Sequence, residues 1–556
     1  MTQALRDLLS SLSVPVLKDF CQTLNLHKGI SRKAEFVNHL ANRIEDNLAG
    51  ILEELTHEDR ILLAEIAHYS GHYDPAEFQA KYPGASLTRP PTSWSKSADL
   101  VWMFCTMENG RYIMNPELAA NIRAILPKPR EPTLITVDDI PSAIPDIHFG
   151  SRPVHVHRSS HISLIELKRV LRLVKAGRIE VAPLTWRPTG ATELLIENDA
   201  LVPTDYCLEL PPQIRGKIGN AQFSGGVRTH AWPVLVQQCG WCKCQAGYLK
   251  LTDRGTRMLF QGDLDEFRKG VRRFIENDIF DELNRIDNIT GQSGRAKRYL
   301  TRPSQRRRMI YQHMRSWPQG KWIAVPEAYR FLRASGNGFE TSTQPSTLFF
   351  GPKENGDAID SSGFLNRLYF RAFLFESLAT LGLVDLAHVY PHYLWPEFQI
   401  VPNRDRISFS SRYDGLLYVG LNKLGAYCLG LVDKYDHRQP DFKGVLRILP
   451  NHEVVVLGHA YLPPVAMYML QSIARRTNDS VWTIDRSRIL DFLESGGDME
   501  EVVAFLETGS SDAIPENVTE FLRDVAHKAG AIVGSEDTLL VELANESISA
   551  EIFRNR

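Results

Sequence analysis

The densest chemical feature of this sequence is a run of cations beside two glycines. In FDELNRIDNITGQSGRAKRYLTRPSQRRR, the glycines Gly291 and Gly294 are followed by Arg295, Lys297, Arg298, Arg302, Arg306, Arg307 and Arg308, with no acidic residue among these cations. A glycine-bearing loop exposes backbone N–H groups, and guanidinium forks take phosphate oxygens bidentately. Together these residue types point to phosphate binding, with the steep salt dependence that counterion release imposes. The competing possibility is a solvated basic loop paired with Asp281, Glu282 and Asp287 just upstream. A second basic cluster lies near the N-terminus, where Lys18, Lys28, Arg32 and Lys33 are candidate phosphate contacts beside His27.

Other chemistries are short of parts. No GxxxxGK[ST] loop and no apolar strand ending in an acidic box occurs, and Gly216-Lys217 and Gly320-Lys321 lack both the earlier glycine and the hydroxyl residue. An ATPase needs its phosphates cradled and its magnesium held, so no motor is expected here. Pro145-Asp146 followed by Glu166-Leu167-Lys168 imitates the PD-(D/E)xK pattern of magnesium nucleases. That pair falls within a helix of 3.6 periodicity, where Glu166 and Lys168 point in different directions, so a nuclease is the alternative and not the leading expectation. Cys239, Cys242 and Cys244 near His230 form one cluster where structural zinc usually takes two separated pairs. They are expected to be buried thiols, and His155, His157 and His161 strand and cap residues; no metal and no cofactor is expected. No GxSxG elbow occurs, and Ser410-Ser411-Arg412-Tyr413-Asp414 has no triad context.

These residues need a large scaffold. A chain of 556 residues that is 43% hydrophobic and 23% charged is globular, and its length corresponds to roughly three to five domains. The net charge of −2 hides blocks of opposite sign: ten acidic residues between Asp491 and Asp524 face Arg523 alone. Such a surface repels phosphate and suits a basic protein partner, or is simply a solvated face. Seven cysteines without a secretory signal, and no apolar run of spanning length, point to a reduced cytoplasmic protein with no membrane partner.

Periodicity and punctuation then divide the chain. Val14 to Asn25 is predicted as an amphipathic helix, followed by a loop through Gly29 and a second helix capped by Ser31. Leu17-Lys18, Leu24, Leu26, Gly29 and Lys33-Ala34-Glu35-Phe36 resemble a SAP module, which implies DNA binding by residues 1–45. A helical, winged-helix-like domain is expected at 46–128 and a Pro-rich linker at 129–155. Residues 156–262 are predicted as a winged helix, with a helix stopped at Gly177 and a hairpin turning at Ala246-Gly247. A larger winged-helix domain carrying the basic loop is expected at 263–440, including a long helix from Phe364 to Leu381. At 441–556, Pro464 is predicted to open a helix running to Arg476. The predicted fold class is α+β, predominantly helical, multi-domain, with tandem winged-helix units.

Leu462-Pro463-Pro464, Ile473-Ala474-Arg475-Arg476, Trp482-Thr483-Ile484, Val503-Ala504-Phe505-Leu506-Glu507 and Ile514-Pro515-Glu516-Asn517-Val518 resemble the accessory domain associated with XPB-type helicases. Asp281-Glu282, Arg285-Ile286-Asp287, Gly291-Gln292, Ser411-Arg412-Tyr413-Asp414-Gly415 and Leu424-Gly425-Ala426-Tyr427 are similar to bacterial helicase-associated proteins that lack the motor. The resemblance covers residues 156–530 and implies nucleic-acid handling beside a helicase or nuclease, in antiphage defence or DNA repair, with no catalytic residue. The leading expectation is a non-enzymatic subunit that binds duplex DNA with low sequence preference, with Trp322 and Tyr413 as wedges, and docks a helicase, ATPase or nuclease partner. A protein–protein scaffold built on winged helices is the third possibility.

Overall fold

The computed structural model describes residues 2–543 except 27–28, 30, 86–90, 92–94, 109–110, 147–149, 183, 202–205, 207–225, 287–288, 292–298, 345–347, 351–356, 359–361, 392–393, 396–409, 436–441, 458–461, 463, 495–496, 530–531 and 536–537. The fold is α+β and predominantly helical, with small antiparallel sheets among the helices. No helix among the described residues is long and apolar enough to cross a membrane. The chain divides into two compact units, Met1–Ile135 with Pro326–Phe339, and Thr136–Val325 with Glu340–Arg556.

In the first unit, Val16, Leu17 and Phe20 line the buried face of the Val14–Thr23 helix, and Phe36, Val37 and Leu40 that of the Lys33–Asp46 helix. Arg32, not Ser31, is the N-cap of the second helix. The capping acceptor comes from inside the helix, where Glu35 accepts from the backbone N–H groups of Ser31 and Arg32 at 3.0 Å each. One hydrophobic core continues from Leu5 through Ile51, Trp102 and Leu118 to Leu126. The boundary expected at residue 45 therefore cuts through a single interior, and the SAP-like hairpin is not a separate domain. Arg330 ties the 326–339 segment into this unit by donating to the carbonyls of Ala80 at 2.8 Å and Thr133 at 2.7 Å.

The second unit is built around a four-stranded antiparallel sheet in the order Ile323–Ala324, Leu416–Leu421, Val384–His388, His155–His157. His155, Val156 and His157 pair with His388, Ala387 and Leu386. The expected boundary at 155/156 thus cuts through a strand, and that at 262/263 separates this strand from the rest of its sheet. The linker expected at 129–155 also contains a hairpin, Ala143–Asp146 with Gly150–Pro153. Prolines at 145 and 153 are tolerated there because a two-stranded ribbon has only edge strands.

From residue 159 the order is the Ser159–Lys175 helix, a bridge at Glu180 and Val181, the Gly190–Asp199 and Arg228–Gln238 helices, and the Cys242–Gln245/Tyr248–Leu251 hairpin. Leu249 N donates to Ile179 O at 2.9 Å and Val181 N to Gly247 O at 2.8 Å, adding a third strand to the hairpin. Ala246 and Gly247 have φ of 51° and 84°, as a two-residue hairpin turn requires. The helix expected from Phe364 to Leu381 is α over Ser362–Ala372, passes into a fully buried π turn, Phe373–Leu378, and is α again at 379–380.

A separate core runs from Phe442 to Val525. Its sheet has the order Leu446–Ile448, Glu453–Val456, Val481–Ile484, Ala474–Arg476. The helix opened by Pro464 ends at Ile473, and Ala474–Arg476 is a strand instead of its last turn. Asn478 turns the chain there, its side chain accepting from the N–H groups of Ser480 and Val481 at 2.9 Å each.

Candidate nucleic-acid interface

Pro303 opens the Pro303–His313 helix, preceded by Arg302. Ile310 and Met314 face the core, and at 3.6 residues per turn the same stripe takes in Arg306 and Arg307. Both arginines are 0% exposed, so two residues expected to contact phosphate are internal. Arg306 meets Asp281 at 2.6 Å and Arg307 meets Glu282 at 2.8 Å. Arg307 also donates to the Gln238 side chain at 3.3 Å and to the carbonyls of Phe274, Asn277 and Phe280 at 3.0, 2.7 and 2.7 Å. Burial alone would lower both guanidinium pKa values, but Asp281 and Glu282 more than reverse this and keep the pair charged.

Arg302 and Arg308 are exposed. Gly291 ends the Ile289–Gly291 strand, which pairs with Leu348–Phe350. Gly294, Arg295, Lys297 and Arg298 lie outside the described residues, as does Lys28. Lys18, Arg32 and Lys33 are exposed in the first unit, and Lys33 Nζ donates to Ser10 O at 2.7 Å.

Glu282, Arg285, Tyr413 and Asp414, from the 281–287 and 411–415 segments that carried the helicase-associated resemblance, each sit in buried polar contacts. Arg285 Nε donates to both carboxylate oxygens of Glu376 at 3.1 Å, and the Tyr413 hydroxyl donates to the same carboxylate. Tyr369 and Ser377 donate to Glu282 at 3.1 and 3.4 Å, and Arg371 faces Asp414 at 3.5 Å. Trp322 and Tyr413 are both buried, which removes them as exposed wedges. Charged groups hidden from water need such partners, and Glu282, held also by Arg307, ties these contacts to the helix whose other face is basic.

That outer face contains cations the sequence reading passed over. Arg308, Gln312 and Arg315 are exposed at a spacing of four and seven, on one side of the Pro303–His313 helix and its 3-10 extension Met314–Ser316. Arg268 and Arg272, a turn apart on the Leu264–Ile275 helix, approach the same place from the side. Burial pushes the Tyr311 phenol pKa up, while Arg272, Arg268 and Arg315 all lie near enough to oppose that rise. Arg315 Nη1 donates to Leu429 O at 2.8 Å, and the Arg268 guanidinium lies over the Tyr427 ring at 5.4 Å. None of Arg268, Arg272, Arg308 and Arg315 has an ion pair among the described residues. The signal was present in LDEFRKGVRRFI: Phe267, Val271 and Phe274 are buried, which leaves Arg272 exposed and Arg268 half-buried at the edge of that face. On the hairpin, Lys243 and Lys250 are directly opposite each other and both exposed. Like charges so placed are destabilising unless an anion joins them.

The residues of the nuclease alternative are engaged elsewhere. Asp146 is ion-paired with Arg152, and Glu166 with Arg228 while accepting from Trp232 Nε1 at 2.9 Å. Lys168 pairs with Glu501 at 2.9 Å, away from the partners of Glu166. Cys239 and Cys242 are buried and Cys244 half-buried, and burial drives the Cys239 and Cys242 thiol pKa values upward. No group of three or more His, Cys, Asp or Glu residues able to hold a metal occurs among the described residues.

His388 is 2% exposed among His155, Tyr206 and Phe375, with ring centroids at 5.8, 5.6 and 5.2 Å. Burial, then the charges of His155 and Arg228, push its pKa down to about 3. The unfolded imidazole takes up a proton below about pH 6.5 while the folded one stays neutral, so stability is lost as pH falls through that window. Replacing His388 with phenylalanine should change stability at neutral pH by less than about 1.5 kcal/mol and flatten the acid-side fall in Tm. An acid slope identical to the wild type would contradict this.

No protein-family model matches the chain, and no curated protein is significantly similar to it.

Proposed function

We propose that this protein is a non-catalytic accessory subunit that binds duplex DNA through its phosphates and docks a partner helicase, ATPase or nuclease. The observation that carries the proposal is the gathering of Arg268, Arg272 and Arg315 around Tyr311, with Arg308 exposed two turns before Arg315 on the same side of its helix, none of them with an ion pair among the described residues. Four guanidinium groups so arranged repel one another, and a row of phosphates offsets that cost. Arg302 and the cations at 295, 297 and 298 precede the same helix in the chain. The exposed Lys18, Arg32 and Lys33 of the SAP-like hairpin offer a second contact.

The order helix, bridge, helix, helix, hairpin over residues 159–251 supports a winged-helix assignment for that stretch. In the usual docking mode the last helix before the hairpin enters the major groove. Here every residue of Arg228–Gln238 is buried, so base reading by that helix is closed. The wing remains, with Lys243 and Lys250 as phosphate contacts. Contacts of this kind position a protein without specifying sequence, so low sequence preference follows. A cytoplasmic role in antiphage defence or DNA repair extends the proposal along the resemblance to helicase-associated proteins.

Filter retention of two unrelated duplexes by the full chain, with magnesium present, tests it. Equal retention of both without cleavage is expected. Absence of retention at low salt would leave only the protein scaffold. Magnesium-dependent cleavage abolished by Asp146→Ala with Lys168→Ala would establish the nuclease instead.

A further inference from the structure

The Phe442–Val525 core carries a groove of 580 Å³ between the Met499–Gly509 and Glu516–Ala529 helices. Met499, Val503 and Glu507, four residues apart, form one stripe along the first helix, and Leu522 and Ala526 line the second. Met499, Val503 and Ile514 pack against the core yet remain only partly covered. The first helix has 11 residues, a length of about 16 Å, which matches three turns of a bound helix.

The rim is acidic. Glu507 lines the groove, and Glu516 and Glu520 lie one turn before its lining residues Thr519 and Arg523 on the second helix; all three are exposed and have no ion pair among the described residues. Asp512 reaches Arg447 at 3.4 Å, and Asp524 is held by Arg486 at 2.7 Å and Lys528 at 3.6 Å. Arg523 is the one cation in the lining. An apolar strip between unpaired carboxylates is complementary to a helix with an apolar stripe flanked by cations, and it repels a polynucleotide.

We propose that this groove receives a basic amphipathic helix of a partner protein. Apolar side chains at i, i+3, i+4 and i+7 of that helix lie along Met499, Val503 and Leu522, and its lysines or arginines meet Glu507, Glu516 and Glu520. The proposal supplies the docking half of the accessory-subunit assignment and does not depend on the DNA-binding half.

The probe is a fluorescein-labelled peptide of about fourteen residues, with leucines at i, i+3, i+4 and i+7 and lysines flanking them. Anisotropy is read with the full chain, against a shuffled peptide of identical composition and a glutamate-for-lysine version. Saturable binding is expected, weakened about tenfold or more for both controls. Val503→Gln and Glu507→Lys should each weaken binding by about tenfold and Arg523→Glu should tighten it severalfold, since rim charges act on the encounter and apolar anchors on retention. Glu507→Lys and Arg523→Glu should keep the wild-type Tm, Val503→Gln should lower it while leaving the chain folded, and all three should keep wild-type duplex retention, so failure here is distinguishable from failure of the DNA-binding assignment. Equal binding of the shuffled peptide, no binding at low salt, or competition by duplex DNA would overturn the proposal. A concentration-dependent dimer abolished by Val503→Gln would assign the groove to a second copy of the chain, and would overturn it equally.

Discussion

Arg307→Ala should destabilise the protein by about 3–5 kcal/mol, the cost of breaking a buried ion pair from one side. The side chain is wholly buried, and its loss strands the Glu282 carboxylate together with the carbonyls of Phe274, Asn277 and Phe280. Tyr369 and Ser377 still donate to Glu282, but neither brings positive charge. The denaturant midpoint measures the effect, and duplex retention per folded molecule should not change. A variant of wild-type stability that had lost retention would put Arg307 on the binding surface and contradict its internal role.

The converse result is expected for the outward arginines of the same helix and of the Leu264–Ile275 helix. Arg272→Glu, Arg308→Glu and Arg315→Glu together should weaken duplex binding by about a hundredfold or more at low salt, to the same degree for every sequence. Arg315 also donates to Leu429 O, so its replacement costs a carbonyl contact at a helix end. The Arg272→Glu, Arg308→Glu double variant avoids that and should still lose at least about tenfold. The double variant should unfold near the wild-type midpoint, and the triple variant somewhat below it. If binding were to weaken for one duplex and not another, the contacts would be to bases, against the assignment.

Adjacent arginines with opposite fates show what the sequence could and could not disclose. Pro303 marks the helix start and Ile310 and Met314 set its phase, so the buried stripe through Arg306 and Arg307 is legible in the 3.6 period. Treating the cations as a loop cluster overrode that phase. The carboxylates at 281 and 282 were visible as possible partners, but only tertiary contact brings them to 306 and 307. Local punctuation was reliable where it acts locally: Ala246-Gly247 turns a hairpin and Gly177, at φ of 70°, ends a helix. Boundaries failed where strands pair over long range, as His155–His157 does with Leu386–His388. The π turn at Phe373–Leu378 leaves no trace in an evenly apolar segment, yet it contains the Glu376 that Arg285 and Tyr413 require.

The salt dependence of duplex affinity tests the central claim most directly. If Arg268, Arg272, Arg308 and Arg315 each neutralise a phosphate, log Kobs should fall against log salt with a slope of roughly −3.6 or steeper. The slope should be the same for unrelated duplexes, and should become shallower by about 2 units when Arg272 and Arg308 are replaced. A slope near zero, or one unchanged in that double variant, would mean these arginines do not meet a polyanion.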